Sequence, residues 1–138
     1  MEIIKQWNND DSKFIANKVI EYNMSKLPQE VKTPSEYVSF VLKNENEELV
    51  GGITATIYWH HIYIDFLWVE ESHRGDGYGS EFMNKIEELA IEKGCYLILL
   101  DTFSFQAPDF YKKLGYKVVG TVEDHPKGFN KYLMEKRL

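Results

Sequence analysis

A single cysteine, Cys95, leaves this chain without an internal disulfide. A disulfide-stapled secreted scaffold is therefore excluded, and a reducing, cytoplasmic location is expected. Cys95 falls between a predicted helix end and an apolar strand, so it reads as a buried structural thiol rather than a nucleophile. Long apolar runs are missing too. None approaches the roughly 18 residues of a membrane span, so no membrane partner is expected. The opening residues Met1-Glu2-Ile3-Ile4-Lys5 lack the apolar core and small-residue cleavage site of a signal peptide. Positive charge is in short supply: 16 Lys and Arg stand against 22 Asp and Glu, a net charge of −6. That balance argues against nucleic acid as the main partner, because backbone binding relies on clustered cations. It suits a cationic small-molecule or peptide amine instead. The four histidines show none of the spacings of a known metal site, so no metal is expected.

What the chain does have is apolar and aromatic side chains, 43% and 14% of its 138 residues. That is enough for one domain with a sizeable core across residues 1–138. Residues 2–7 read as an edge strand. A cap-rich turn, Asn8-Asn9-Asp10-Asp11-Ser12, precedes a helix from Lys13 with Phe14, Ile15, Val19 and Tyr22 at helical spacing, ending near Met24. Residues 25–36 read as a loop. Residues 37–42, 49–59 and 63–69 form three strands with short polar turns between them, which predicts an antiparallel meander. Within the third, Tyr63, Asp65, Leu67 and Val69 alternate with Ile62, Ile64, Phe66 and Trp68. Both faces are mainly apolar, so the strand is expected to be central and covered on both sides. A carboxylate there is costly unless paired or hydrogen-bonded, which singles out Asp65 as either satisfied or functional.

Residues 81–93 carry Phe82, Met83, Ile86, Leu89 and Ala90 on one face of an amphipathic helix, with Gly94 beyond its end. A buried strand follows at 96–100. Strand, loop, helix and strand make a βαβ unit whose two strands run parallel. Pro108 opens a short helix with Phe110, Tyr111 and Leu114, ended by Gly115. Residues 116–121 and 131–136 read as two final strands.

The loop inside the βαβ unit is His73-Arg74-Gly75-Asp76-Gly77-Tyr78-Gly79-Ser80. Glycines at alternate positions before a helix let the backbone approach a ligand with its N–H groups forward. The helix start is also partly positive, so an anion such as a pyrophosphate fits. The dinucleotide pattern of glycines at positions one, three and six fails at Ser80. No Gly-Lys-Ser/Thr of a phosphate loop is present. Arg74, Gly77 and Gly79 instead follow Arg/Gln-x-x-Gly-x-Gly/Ala. A second segment, Ala107-Pro108-Asp109-Phe110-Tyr111-Lys112-Lys113-Leu114-Gly115-Tyr116, follows Ala-x-x-Phe-Tyr-x-x-x-Gly-Phe/Tyr. In both, the chain resembles the GNAT acetyltransferase superfamily, and its element order matches that fold from end to end. The implied class is α/β (α+β): a mixed sheet of about six or seven strands, an antiparallel meander plus a splayed parallel pair, with three or four flanking helices.

The resemblance implies acetyl transfer from acetyl-CoA, the cosubstrate, to a primary amine by direct attack in a ternary complex. Cofactor contacts are implied at Arg74, Gly75, Asp76, Gly77, Tyr78, Gly79 and Ser80 for the pyrophosphate. Leu67 and Val69 are implied for the pantetheine arm, and Phe110 and Ser104 also border the cofactor. The family often has Asn at the position of Ser104, so this contact has a shorter reach here. The Val69 N–H is the implied donor to the thioester oxygen. Tyr111 is the implied acid, since a phenol near pKa 10 stays protonated beside a thiol near 8.5. Deprotonating a lysine-like amine at pH 7 costs about 4–5 kcal/mol. Asp65 is the first candidate base, with Tyr63, Glu70 and His125 as alternatives. Phe103 and Phe105 flank Ser104, and one of them is expected to border the acceptor site. A homodimer is compatible with the fold. A non-catalytic acyl-CoA-binding or sensing module is the alternative on the same fold, and a nucleotide-binding protein is the third reading.

Overall fold

A computed structural model describes all 138 residues, which divide into two compact units, Met1–Lys32 and Thr33–Leu138. The first unit is built on helix α1, Asn9–Lys26. It starts four residues before the periodicity suggests, because the Asn8 side chain accepts hydrogen bonds from the Asp10 and Asp11 amides. Residues 2–7 form no strand. Gln6 and Trp7 instead turn back onto the first helical turn: Gln6 Nε2 donates to Asp11 Oδ2 at 2.8 Å and Trp7 Nε1 to Asn9 Oδ1 at 3.0 Å. No helix of the chain is long and apolar enough to cross a membrane.

The second unit is a six-stranded mixed sheet. Its strands are β1 (Glu36–Lys43), β2 (Leu49–Tyr58), β3 (His61–Val69), β4 (Leu97–Phe103), β5 (Lys117–Val122) and β6 (Lys131–Arg137). The spatial order is β1-β2-β3-β4-β6-β5. All neighbours are antiparallel except β3 and β4, the pair joined through α2 (Tyr78–Glu92). The expected meander and parallel pair are both present. α2 begins three residues earlier than its apolar face predicts, because Gly77 serves as its N-cap.

Register explains the most consequential departure from the sequence reading. In the β2–β3 ladder Ala55 pairs with Ile64 and Thr54 with Phe66, so Asp65 is an extra residue without a partner. Such a bulge advances the side-chain alternation by one. Ile62, Ile64, Leu67 and Val69 therefore share the face under α2, while Asp65, Phe66 and Trp68 point away from it. Phe66 is 77% and Trp68 50% exposed. The expectation of a strand covered on both sides, with Asp65 in step with Leu67, is corrected accordingly.

The core lies between the sheet and α2. Ile53, Ile62, Ile98, Leu100 and Met134 from the sheet meet Phe82, Met83, Ile86 and Ala90, with Cys95 buried at the edge. Burial pushes the Cys95 thiol pKa up, in keeping with a structural role. A polar tie holds the third helix, α3 (Pro108–Lys113), to this frame. Lys136 Nζ reaches Glu87 Oε1 at 2.7 Å and the Leu114 carbonyl at 2.8 Å, while Tyr116 donates to the same Glu87 oxygen at 3.3 Å.

His61, buried at the start of β3, contacts the Tyr58 carbonyl through Nδ1. That nitrogen must carry the proton, because a carbonyl only accepts. Burial lowers the His61 pKa below the ordinary 6.5 despite this bond. The unfolded chain thus binds the proton more readily than the folded one. As pH falls below about 6.5 and through the lowered folded value, stability is expected to drop. Urea midpoints measured from about pH 7 to 5 should decline more steeply in the wild type than in His61→Gln, which keeps a donor but cannot titrate.

Candidate active site

Pairing between β3 and β4 runs from His61↔Leu97 to Ile64↔Leu100 and stops. Both strands continue, β3 to Val69 and β4 to Phe103. The parallel pair therefore opens at its C-terminal end, at the same residue where the bulge begins. The Glu70 amide donates to the Val50 carbonyl of β2 at 2.8 Å. Main-chain groups of successive strand residues point to opposite sides. The N–H and C=O groups of Leu67 and Val69 consequently face the opening rather than β2. Arg74 Nε donates to the Val69 carbonyl at 2.9 Å, which fastens the glycine loop to the end of β3.

Three hollows meet along this opening. The first, about 400 Å³, lies at the glycine loop and is lined by Val69, His73, Arg74, Gly75, Gly77, Tyr78, Gly79, Ser80 and Phe110. Gly75 and Gly77 have φ of +86° and +87°, a region open to glycine and strained for other residues. No side chain caps the helix, so the amides of Tyr78, Gly79 and Ser80 are presented to this hollow as unpaired donors. A Cβ on Gly79 would lie 3.2 Å from the Phe110 ring. Glycine there lets α3 pack directly on the start of α2. Asp76 is exposed at the loop tip and does not line the hollow.

The second hollow, about 520 Å³, occupies the opening itself, between Leu67 and Val69 on one side and Asp101 and Thr102 on the other. Tyr111, Gln106, Ala107 and Phe105 close its end. Tyr111 sits on α3, started by Pro108 at its first position. Its ring packs against Phe110 and Tyr116, with centroids 5.1 and 6.2 Å away. Burial holds its phenol above the ordinary pKa of 10, so it remains a neutral donor across the working pH range. The turn between β4 and α3 is pinned by Gln106, whose Oε1 accepts from the Phe103 amide at 2.9 Å.

The third hollow, about 740 Å³, lies on the sheet face away from α2 and shares Asp65, Phe66, Asp101 and Gln106 with the second. Asp65 is exposed, and its Oδ2 accepts from Thr56 Oγ1 at 2.8 Å. Asp101 was not visible as a candidate in the sequence. Its Oδ2 accepts a hydrogen bond from the Tyr63 hydroxyl and lies 3.9 Å from Lys131 Nζ. Its signal was its place at the carboxyl end of the second parallel strand, where open α/β sheets bind ligands. Phe103 lines this hollow and stacks on Phe105 at 5.3 Å, so both aromatics border the trench.

Other candidates lie elsewhere. Ser104 lines none of the three hollows. Its Oγ accepts from the Asn130 amide at 3.0 Å and its own amide donates to the Asn130 carbonyl at 2.8 Å, tying the 123–130 loop to β4. Glu70 pairs with His73 at 3.8 Å beside the loop. His125 lies 6.0 Å from the Phe103 ring. Tyr63 is a donor to Asp101; burial first, then that hydrogen bond, pushes its pKa well above 10, which removes it as a base at neutral pH.

A mixed sheet opened at one parallel pair, with an amide cradle at one end of the opening and carboxylates at the other, defines an acyl-transfer fold. The family model of the acetyltransferase (GNAT) family matches residues 2–116, and the chain belongs to that family, as an N-acetyltransferase. The blasticidin-S acetyltransferase of Streptomyces morookaense is 35% identical over 106 residues, 76% of this chain and 78% of that one. The crystal structure of an acetyltransferase from Bacillus cereus ATCC 14579 shares 57% identity, with a TM-score of 0.94 over 99% of this chain and 98% of that one. An aminoglycoside 6′-N-acetyltransferase solved with coenzyme A shares the fold, at 20% identity and a TM-score of 0.64 over 99% and 97%.

The cradle yields a direct test. Gly77→Ala places a Cβ on a left-handed residue with no steric neighbour within 4 Å, so only backbone strain is added. The ligand-free protein should lose about 1–2 kcal/mol in urea unfolding. An unchanged midpoint would mean that the loop relaxes at no cost.

Proposed function

We propose that this N-acetyltransferase uses acetyl-CoA and acetylates a small primary amine by direct attack in a ternary complex. One observation carries the reading: the opening between β3 and β4 joins a cradle of unpaired amides to a carboxylate-lined hollow, with the neutral Tyr111 phenol between them. When bound, acetyl-CoA supplies an acetyl thioester as the electrophile.

The chain's own groups fit that ligand. The amides of Tyr78, Gly79 and Ser80, with the α2 start behind them, suit a diphosphate, each helix-end interaction contributing about 0.3–1 kcal/mol. Arg74, exposed at the rim and already fixed to Val69, adds positive charge there. Leu67 and Val69 offer main-chain donors and acceptors to an extended amide-bearing arm, as an added strand would use them. The Val69 N–H is then the preorganised donor for an acyl oxygen. The Tyr111 hydroxyl makes no hydrogen bond within the protein and lines the same hollow; it supplies a proton to a leaving thiolate. Asp65, on the open face, draws a cationic amine toward the trench. The blasticidin-S relative supports a small-molecule acceptor, and the protein's own acidic balance supports a cationic one.

Thermal unfolding with acetyl-CoA, CoA, ATP or NAD tests the cofactor. At 100 times its dissociation constant, acetyl-CoA should add about 2.7 kcal/mol. Equal stabilisation by ATP or NAD would overturn the assignment. Tyr111→Phe keeps the ring packing and removes the proton. Its kcat for thiol release should fall about 10²-fold with little change in the KM for acetyl-CoA; unchanged turnover would leave Tyr111 a packing residue.

A further inference from the structure

We propose that Asp101 is the group that takes the proton from the acceptor amine, held in position by Tyr63 and Lys131. The assignment rests on the amine acetyltransferase reading above and adds a residue that the family motifs do not contain.

Three features support Asp101. The first is place. Asp65, the first candidate from sequence, lines the same hollow, but it is the bulge residue and its carboxylate is bonded to Thr56 on β2. Asp101 stands on β4, across the opening from Leu67 and Val69, in the hollow that also holds Tyr111. The second is how the oxygens are used. Both protein contacts of Asp101, the Tyr63 hydroxyl and the Lys131 ammonium, fall on Oδ2. Oδ1 has no protein partner, so one oxygen is anchored and the other is open to a ligand. The third is exposure. The Asp101 side chain is 34% exposed, reachable from the trench yet fixed from two sides. Tyr63 comes from β3 and Lys131 from β6, so the carboxylate is braced on both flanks of its own strand.

The proton count closes. An ammonium acceptor has three N–H protons and the amide product keeps one. Of the two lost, one passes to Asp101 Oδ1 and on to water, and the other replaces the proton that Tyr111 gives to the leaving thiolate as the N–C bond forms and the C–S bond breaks. The charged and titratable groups facing Asp101 are Tyr63 and Asp65 from β3 and Lys131 from β6. Tyr63 stays neutral, so it orients Asp101 without competing for the proton.

The test compares wild type with Asp101→Asn, using the best amine of a small-amine panel and a hydrazide of matched length, which is neutral at pH 7. Asp101→Asn should slow the amine at least about 100-fold and the hydrazide much less, because the hydrazide has no ammonium proton to remove. The thermal shift given by acetyl-CoA should be unchanged. Absorbance titration of Tyr63 in the same variant should fall toward the ordinary phenol value. Equal slowing of both acceptors, or of neither, overturns the assignment. Should Asp101→Asn fail to fold, Tyr63→Phe supplies the second arm: it keeps the carboxylate and should slow the amine about tenfold, again more than the hydrazide, and an unaffected rate overturns the assignment. A wild type that is stabilised by acetyl-CoA but turns over no amine removes the enzymatic reading itself, an outcome distinct from a base placed elsewhere.

Discussion

The site depends on one unpaired residue. With Asp65 inserted into β3, the strand changes which side chains it buries and parts from β4 at the same point. In a regular β3 the alternation would have turned the amides of Leu67 and Val69 toward β2, and they would have been consumed in its ladder. The bulge leaves them free in a protein where an unmatched amide is otherwise costly. It also sends Phe66 and Trp68 outward, at the expense of burying two large apolar side chains, which marks the opening as a feature the fold maintains rather than a flaw in it.

The trench divides its work between main chain and side chain. At the glycine loop and along β3, the groups on offer are amides and carbonyls, whose directions are fixed by backbone geometry. At the far end they are side chains, among them the carboxylates of Asp65 and Asp101, the phenols of Tyr63 and Tyr111, and Lys131. The phenols show how surroundings assign roles. Tyr63 has Asp101 as its partner and is committed to it. Tyr111 is kept neutral by burial alone, with no carboxylate beside it, so its proton remains available.

Much of this was legible in the sequence because it is local. Gly75, Gly77 and Gly79 between a strand and an amphipathic helix mark, through spacing alone, a backbone-lined hollow at the helix start, and Pro108 with Gly115 brackets the helix that bears Tyr111. The bulge was not legible, since it is a property of two paired strands: nothing in Ile64-Asp65-Phe66 says that Thr54 and Ala55 will close up opposite it. Continuing the two-residue alternation through Asp65 therefore placed it in a buried setting it does not occupy. Asp101 was overlooked for a related reason. Read singly it is the polar end of an apolar strand, and only the topology brings Tyr63 and Lys131 to it. The strand expected at residues 2–7 failed because Gln6 and Trp7 found partners on the first turn of α1.

The contact between Gly79 and Phe110 sets a length. With no side chain on Gly79, the Phe110 ring of α3 packs directly on the start of α2, so the separation between the glycine loop and the Tyr111 hydroxyl is set by two packed helices rather than by a loop. In the proposed reaction the two ends act together as a ruler, and a thioester carrier is measured by the span from its charged group to its sulfur. A carrier a few bonds shorter or longer, equally charged and equally reactive, would fill one end of the gauge and miss the other.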